Sequence, residues 1–269
     1  MLLRSLNKVW YSRPLNWLAL LSVVAITNPS PAKALTFNFS HGADAPQEVH
    51  DAITAAGNLW SSHLSDDVEL NIHIDFGELP EGILGGARPN MVRVKYEDVL
   101  KGMFLDKTST ADQIAFNNLQ INEKDRKALE EYSLGRLDVS KLKFSKESEF
   151  SLLMTQSTLQ DPKNNDGSKS KEVYLDNNGN ENNRHIWMTR ANAKALGLVD
   201  RYSQEFDATI RFNNSALWDF YRSDGISSDA LDFLTVAQHE IGHALGVVSG
   251  SDIAGLLQQN KDKAVSEKD

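Results

Sequence analysis

The chain has 269 residues, 37 acids against 28 lysines and arginines, a formal net charge of −9 and no cysteine. The acidic balance disfavours a nucleic-acid partner, because phosphate backbones attract the opposite sign. Without cysteine there is neither a disulfide nor a thiolate metal site, so any metal must be held by histidine, carboxylate or water, and the search narrows to seven histidines.

At the start of the chain, Arg4, Lys8 and Arg13 precede an apolar run from Leu15 to Ile26 that is short for a bilayer span, and Ala32-Lys33-Ala34 follows as a small-x-small cleavage pattern. This predicts a signal peptide over residues 1–34, a mature chain from Leu35, and a secreted or periplasmic location; an uncleaved anchor is the alternative. Arg4, Lys8, Arg13 and Lys33 would leave with it and no acid would, so the mature chain becomes four units more negative. No later segment is apolar enough to cross a membrane, and residues 35–269 read as one domain without internal repeats.

Leu35, Phe37 and Phe39 alternate with polar residues, the period of a half-buried strand. Pro46 opens a helix whose Val49, Ala52, Ile53, Ala56 and Trp60 share one face, and Val68 to Phe76 alternates as a second strand. Strand, helix, strand predicts a right-handed crossover connection and an α/β or α+β sheet. Gly77 to Asn90, with two prolines and three further glycines, is expected to be loop, and Met91 to Tyr96 a short strand.

Ser109 with Asp112 and Asn122 with Asp125 are capping pairs that predict helices over Ser109–Leu119 and Asn122–Tyr132, an insertion on the sheet. Two stretches crowded with Asn, Asp, Gly and Ser, Asp161–Ser170 and Asp176–Asn183, read as exposed turns around short strands at Lys171–Leu175 and His185–Met188. Asp176 to Glu181 offers oxygen ligands for Ca2+ but lacks the EF-hand spacing. Thr189 caps a small helix ended by Gly197, and Asp207 to Phe212 alternates as a strand.

Ser227-Ser228-Asp229 supplies capping residues for a helix over about 229–248, in which Leu231, Leu234, Ala237, Ile241, Ala244, Leu245 and Val248 keep helical spacing. His239 and His243, four residues apart, stand one turn above the other on a common face, at a separation that one tetrahedral zinc can bridge. Glu240 points beside that pair, where a general base would take a proton from a zinc-activated water. His41, His50, His63 and His73 follow structural or solvated patterns, and Trp60, Trp187 and Trp218 read as core or subsite aromatics.

The run from Ala237 to Gly246, containing His239-Glu240-Ile241-Gly242-His243, resembles the active-site helix of metzincin-type zinc endopeptidases, among them secreted bacterial proteases. The upstream order of strand, helix, strand, loop and edge strand is also similar to that family's N-terminal subdomain. The resemblance implies a zincin-like α+β fold, with a twisted mixed sheet, a backing helix and an active-site helix. It implies a secreted zinc endopeptidase with His239 and His243 as metal ligands, Glu240 as catalytic base and a polypeptide substrate paired along an edge strand, for which Asp207–Phe212 is the candidate.

Two departures accompany the resemblance. Where the family's third histidine would stand this chain has Ser249, so Asp252 is expected as the third zinc ligand, with His185 as the alternative. All five methionines precede the motif, so the family's methionine turn has no counterpart, and the short polar tail over 253–269 predicts a C-terminal subdomain that is reduced or missing. The rival reading is a non-catalytic, zinc-stabilised secreted binding domain.

Overall fold

A computed structural model describes residues 34–42, 45–138, 141–142, 144, 149–150, 152–155, 173–176, 179 and 181–248. The segment read as a signal peptide therefore lies outside the described residues up to residue 33, and the tail over 253–269 lies wholly outside them. No helix among the described residues is long and apolar enough to cross a membrane.

The first alternating run forms β1 (Thr36–His41), Pro46 is the N-cap of α1 (Gln47–Ser61), and the second alternating run forms β2 (Glu69–Gly77). Next come β3 (Gly85–Pro89), β4 (Met91–Lys95), α2 (Tyr96–Asp106), α3 (Thr110–Asn117) and α4 (Glu123–Ser133). Then follow β5 (Leu152–Thr155), β6 (Val173–Asp176), α5 (Glu181–Arg184), β7 (His185–Thr189) and α6 (Arg190–Ala195). The chain continues through β8 (Ala208–Asn213), β9 (Trp218–Asp219), β10 (Leu231–Asp232) and α7 (Phe233–Leu245).

The architecture is mixed α+β. Its main sheet has the order β1-β2-β8-β3: β1, β2 and β8 run parallel, and β3 is antiparallel to β8. α1 and α7 cover one face. Val49, Ala52, Ile53 and Ala56 from α1 and Phe233, Ala237, Ile241 and Ala244 from α7 form one core with Ile72, Ile74, Ala208, Ile210 and Phe212 of the strands. Each large side chain withdrawn there from water contributes roughly 1.5–3 kcal/mol, so α7 is held to the sheet along its whole apolar face.

Two expectations about the sheet are corrected. Asp207–Phe212 is not the edge strand but, as β8, an interior one between β2 and β3; its Ala208, Ile210 and Phe212 are fully buried. The edges are β1 and β3, and β3 lies inside the stretch read as loop. Gly85, Gly86 and Pro89 obscured it, because these residues weaken a central strand yet are tolerated at an edge, where one side of the backbone has no ladder to complete.

The lower end of the sheet is closed by α6, whose Ala191 packs with Leu35, Val68 and Leu70. Lys194 and Asp207 are both buried and 2.7 Å apart; Asp207 accepts from the Asn71 backbone N–H, and Lys194 donates to the Glu69 and Ser203 carbonyls. Removing one partner would strand the other charge in the interior, a loss of about 3–5 kcal/mol.

The section that holds the two capped helices has its own small core of Phe104, Phe116, Leu129 and Leu142. Ser109 and Asp112 form the complete capping box, and Asn122 accepts from the Asp125 N–H. Sequence reading missed α2, running Tyr96 into the preceding strand, although Val99, Leu100, Met103 and Phe104 have helical spacing. It also missed β5, which pairs antiparallel with β6; β4 pairs antiparallel with β7.

Candidate metal centre

α7 begins later than its capping signals suggest. Ser227, Ser228 and Asp229 lie in a turn closed by the Ala230 N–H on the Ser227 carbonyl, and Leu231–Asp232 pairs in parallel with Trp218–Asp219 before the helix starts. Asp232 is the N-cap; its carboxylate is ion-paired with Arg222 and accepts from the Thr235 hydroxyl at 2.5 Å, which holds the chain extended up to Phe233.

The helix presents His239 to solvent, leaves His243 half-buried beside it and turns Glu240 inward. The two imidazole Nε2 atoms are 3.0 Å apart, with ring planes at 86° and centroids 4.6 Å apart. Two nitrogens on one tetrahedral zinc, each about 2.0–2.1 Å from the metal, would stand about 3.3 Å apart. His243 Nδ1 lies 2.6 Å from the Val247 carbonyl. A ring N–H donating there places the lone pair at Nε2, the tautomer a metal requires.

That carbonyl is delivered by the turn at Gly246. Its φ of +112° is left-handed, which demands glycine, and a Cβ there would also press on the Asn192 side chain. The Gly246 and Val247 N–H groups close the turn on the His243 and Gly242 carbonyls. On the helix's inner side, Trp60 of α1 donates its indole N–H to the Gln238 carbonyl at 3.1 Å. The same ring stands 3.4 Å from where a Cβ on Gly242 would lie, so Trp60 is a core anchor of the motif.

Glu240 is 5% exposed and lies against β3: a Cβ on Gly85 would come within 3.3 Å of its Cγ and Oε1. Burial pushes its carboxyl above the ordinary range, opposed by the His243 and His239 imidazoles and by the Ala87 backbone. Its Oε2 is buried without a hydrogen-bond partner. Gly85 and Ala87 are thus site neighbours that the sequence reading did not find; the only signal was the small Gly85-Gly86-Ala87 run inside a presumed loop.

The remaining site expectations divide. Ser249 and Asp252 lie outside the described residues. His185, the alternative ligand, sits at the start of β7 with Nδ1 3.2 Å from the Glu181 carbonyl. Among the described residues, no group of three His, Asp or Glu gathers around a point that could hold a metal, so His185 does not join the pair on α7. Of the stretch considered for Ca2+, Asn177, Asn178 and Asn180 lie outside the described residues, and Glu181 is ion-paired with Arg93. Trp218 donates to the Asn213 carbonyl at 2.7 Å against the core, whereas Trp187 is half exposed. Comparison of the chain with protein-family models, curated proteins and solved structures gave no match.

Proposed function

We propose that this protein is an exported zinc-dependent endopeptidase with a zincin-like fold. The observation that carries the reading is the convergence of His239 and His243 Nε2 at 3.0 Å beside a buried, partly unpartnered Glu240 carboxylate. Without a metal the two imidazoles could share one N–H···N hydrogen bond, but the unpartnered Glu240 oxygen would gain nothing, because burying a carboxylate without full hydrogen bonding is unfavourable. The mixed sheet, with its antiparallel edge strand beside the helix that carries the motif, supports the same reading.

His239 and His243 would hold the metal, with Asp252 as the proposed third ligand. Zinc bound there would supply Lewis acidity toward a water and a peptide carbonyl. The Val247 carbonyl keeps the His243 ring oriented through Nδ1. Glu240 takes a proton onto its carboxylate from the attacking water and passes it to the leaving amine nitrogen, a task suited to a carboxyl whose proton affinity is raised by burial. An extended polypeptide would pair with β3, the edge strand next to Glu240.

Metal analysis of the purified chain together with cleavage of an unfolded protein substrate, with and without chelator, tests the reading. One equivalent of zinc and chelator-sensitive cleavage are expected. Zinc without cleavage would assign the chain to the rival class, a metal-stabilised binding domain, and no zinc at all would dismiss both.

A further inference from the structure

A recess lies away from α7, and none of its lining residues belongs to that helix. β4, α2, β7 and the turn after α6 border about 700 Å3 that is open to solvent. Its floor depends on two glycines. A Cβ on Gly102 would stand 3.0 Å from the Leu196 carbonyl oxygen, so α2 passes close over that turn, and Gly197, at φ +68°, bends the chain away again.

In a chain with a net charge of −9, this recess collects the cations Arg93, Lys95 and Lys101 against Asp98, with the His185 ring beside them. The acids that meet these cations hold them loosely or lie toward solvent. Lys95 Nζ is 3.9 Å from Glu97, beyond hydrogen-bonding distance, and Arg93 reaches Glu181, whose side chain is 67% exposed. Lys101 is the informative one: its side chain is only 18% exposed, yet its ammonium is 3.4 Å from an Asp98 side chain that is 45% exposed. It also lies 5.5 Å from the Phe144 ring centroid. A cation withdrawn from water and held at the limit of hydrogen-bond distance by a solvated acid gains from a closer anion. Leu105, Leu196 and Leu198 line the same space, and Leu105 exposes more than half its surface. Cationic rim and aliphatic wall together select a ligand with both characters.

We propose that this recess binds an amphiphilic organic anion, a carboxylate on an apolar body of several carbons, with the head group at Lys101 and Lys95 and the body on Leu105, Leu196 and Leu198. The site is independent of the metal centre and is retained whether or not α7 binds zinc.

Calorimetric titration of the full chain with octanoate, octylammonium and inorganic phosphate tests it. Octanoate should saturate one site, phosphate should bind about tenfold or more weakly, and octylammonium should not bind, because the rim repels it. Lys101→Gln and Lys95→Gln should each weaken octanoate by about tenfold, the loss expected for one charge-assisted contact, and Leu105→Ser should weaken octanoate while leaving phosphate unchanged. The exposed Lys95 and Leu105 variants keep the test decisive if Lys101→Gln fails to fold. Equal binding of octylammonium, phosphate as tight as octanoate, lysine variants that bind like the wild type, or no octanoate binding would each overturn the proposal. His239→Ala should bind octanoate normally, which separates this site from failure of the protease reading.

Discussion

Two histidine pairs of nearly equal spacing stand in the molecule, one bridging β1 and α1 and one on α7. His41 and His50 have ring centroids 4.4 Å apart, His239 and His243 4.6 Å, yet the pairs differ in everything a ligand would sense. On α7 the two Nε2 atoms converge, one ring is oriented by a backbone carbonyl, and a glutamate stands between them in sequence. At the end of β1, both ring nitrogens of His41 are buried without a hydrogen-bond partner, and burial, with His50 and then His73 adding to it, lowers its pKa. Proximity of imidazoles alone does not distinguish the two pairs; converging ring nitrogens and a carbonyl partner for one ring do.

The largest expected effect sharpens the functional half of this comparison. Glu240→Gln should keep its metal, since the side chain is not a ligand, and lose about 10²–10⁴-fold in hydrolysis with the general base. Metal content and turnover measured on one preparation check it; loss of metal would contradict the role assigned to Glu240.

The comparison itself is broken or upheld by exchanging the pairs. His243→Ala should weaken zinc binding by more than about 100-fold, because even partners outside the ligand set are worth roughly 10–100-fold. His41→Phe should leave zinc affinity unchanged, as measured by chelator competition. Equal losses from the two variants would mean that the β1–α1 pair also binds the metal.

Next in size is the turn that aims His243. Gly246→Ala forces a side chain into a left-handed backbone and onto Asn192, and should destabilise the chain by about 1–3 kcal/mol in denaturant unfolding. Adding Asn192→Ala should recover only the steric share, since the backbone strain remains. Full recovery would show that the space, not the conformation, demands glycine.

The smallest effect belongs to His41. Burial holds its folded pKa below the ordinary histidine value of about 6.5, so the unfolded chain binds that proton more readily. Its share of stability is present above about pH 6.5 and is lost as pH falls through the folded pKa. Denaturation midpoints at pH 7.5 and pH 5 should differ less for His41→Phe than for the wild type. An unchanged difference would mean that His41 titrates alike in both states.

Much of the fold was legible locally. Alternation located β1, β2 and β8, helical spacing located α1 and α7, and the capping pairs located α3 and α4. Reading failed where tertiary context outweighed local signals. β3 is built from glycine, alanine, arginine and proline and becomes a strand only because β8 offers a ladder; α2 follows a strand without a break, and no turn residue marks its start. The start of α7 was placed too early because Asp232, not Ser227 or Asp229, is held by Arg222.

For the site, the four-residue spacing of His239 and His243 was enough to bring two imidazoles together, since helix geometry leaves neighbours at that spacing on one face. Glu240 was equally plain as the neighbour of that pair, whereas the helix was read on to about residue 248 and ends at Leu245, before Gly246. Which strand forms the edge, that Gly85 gives Glu240 its room, and that Asn192 and Trp60 hold the two ends of the motif depend on segments far apart in the chain. Periodicity describes one element's faces and carries no information about which distant backbone will pack against them; that was decided only when the sheet order placed β3 beside α7.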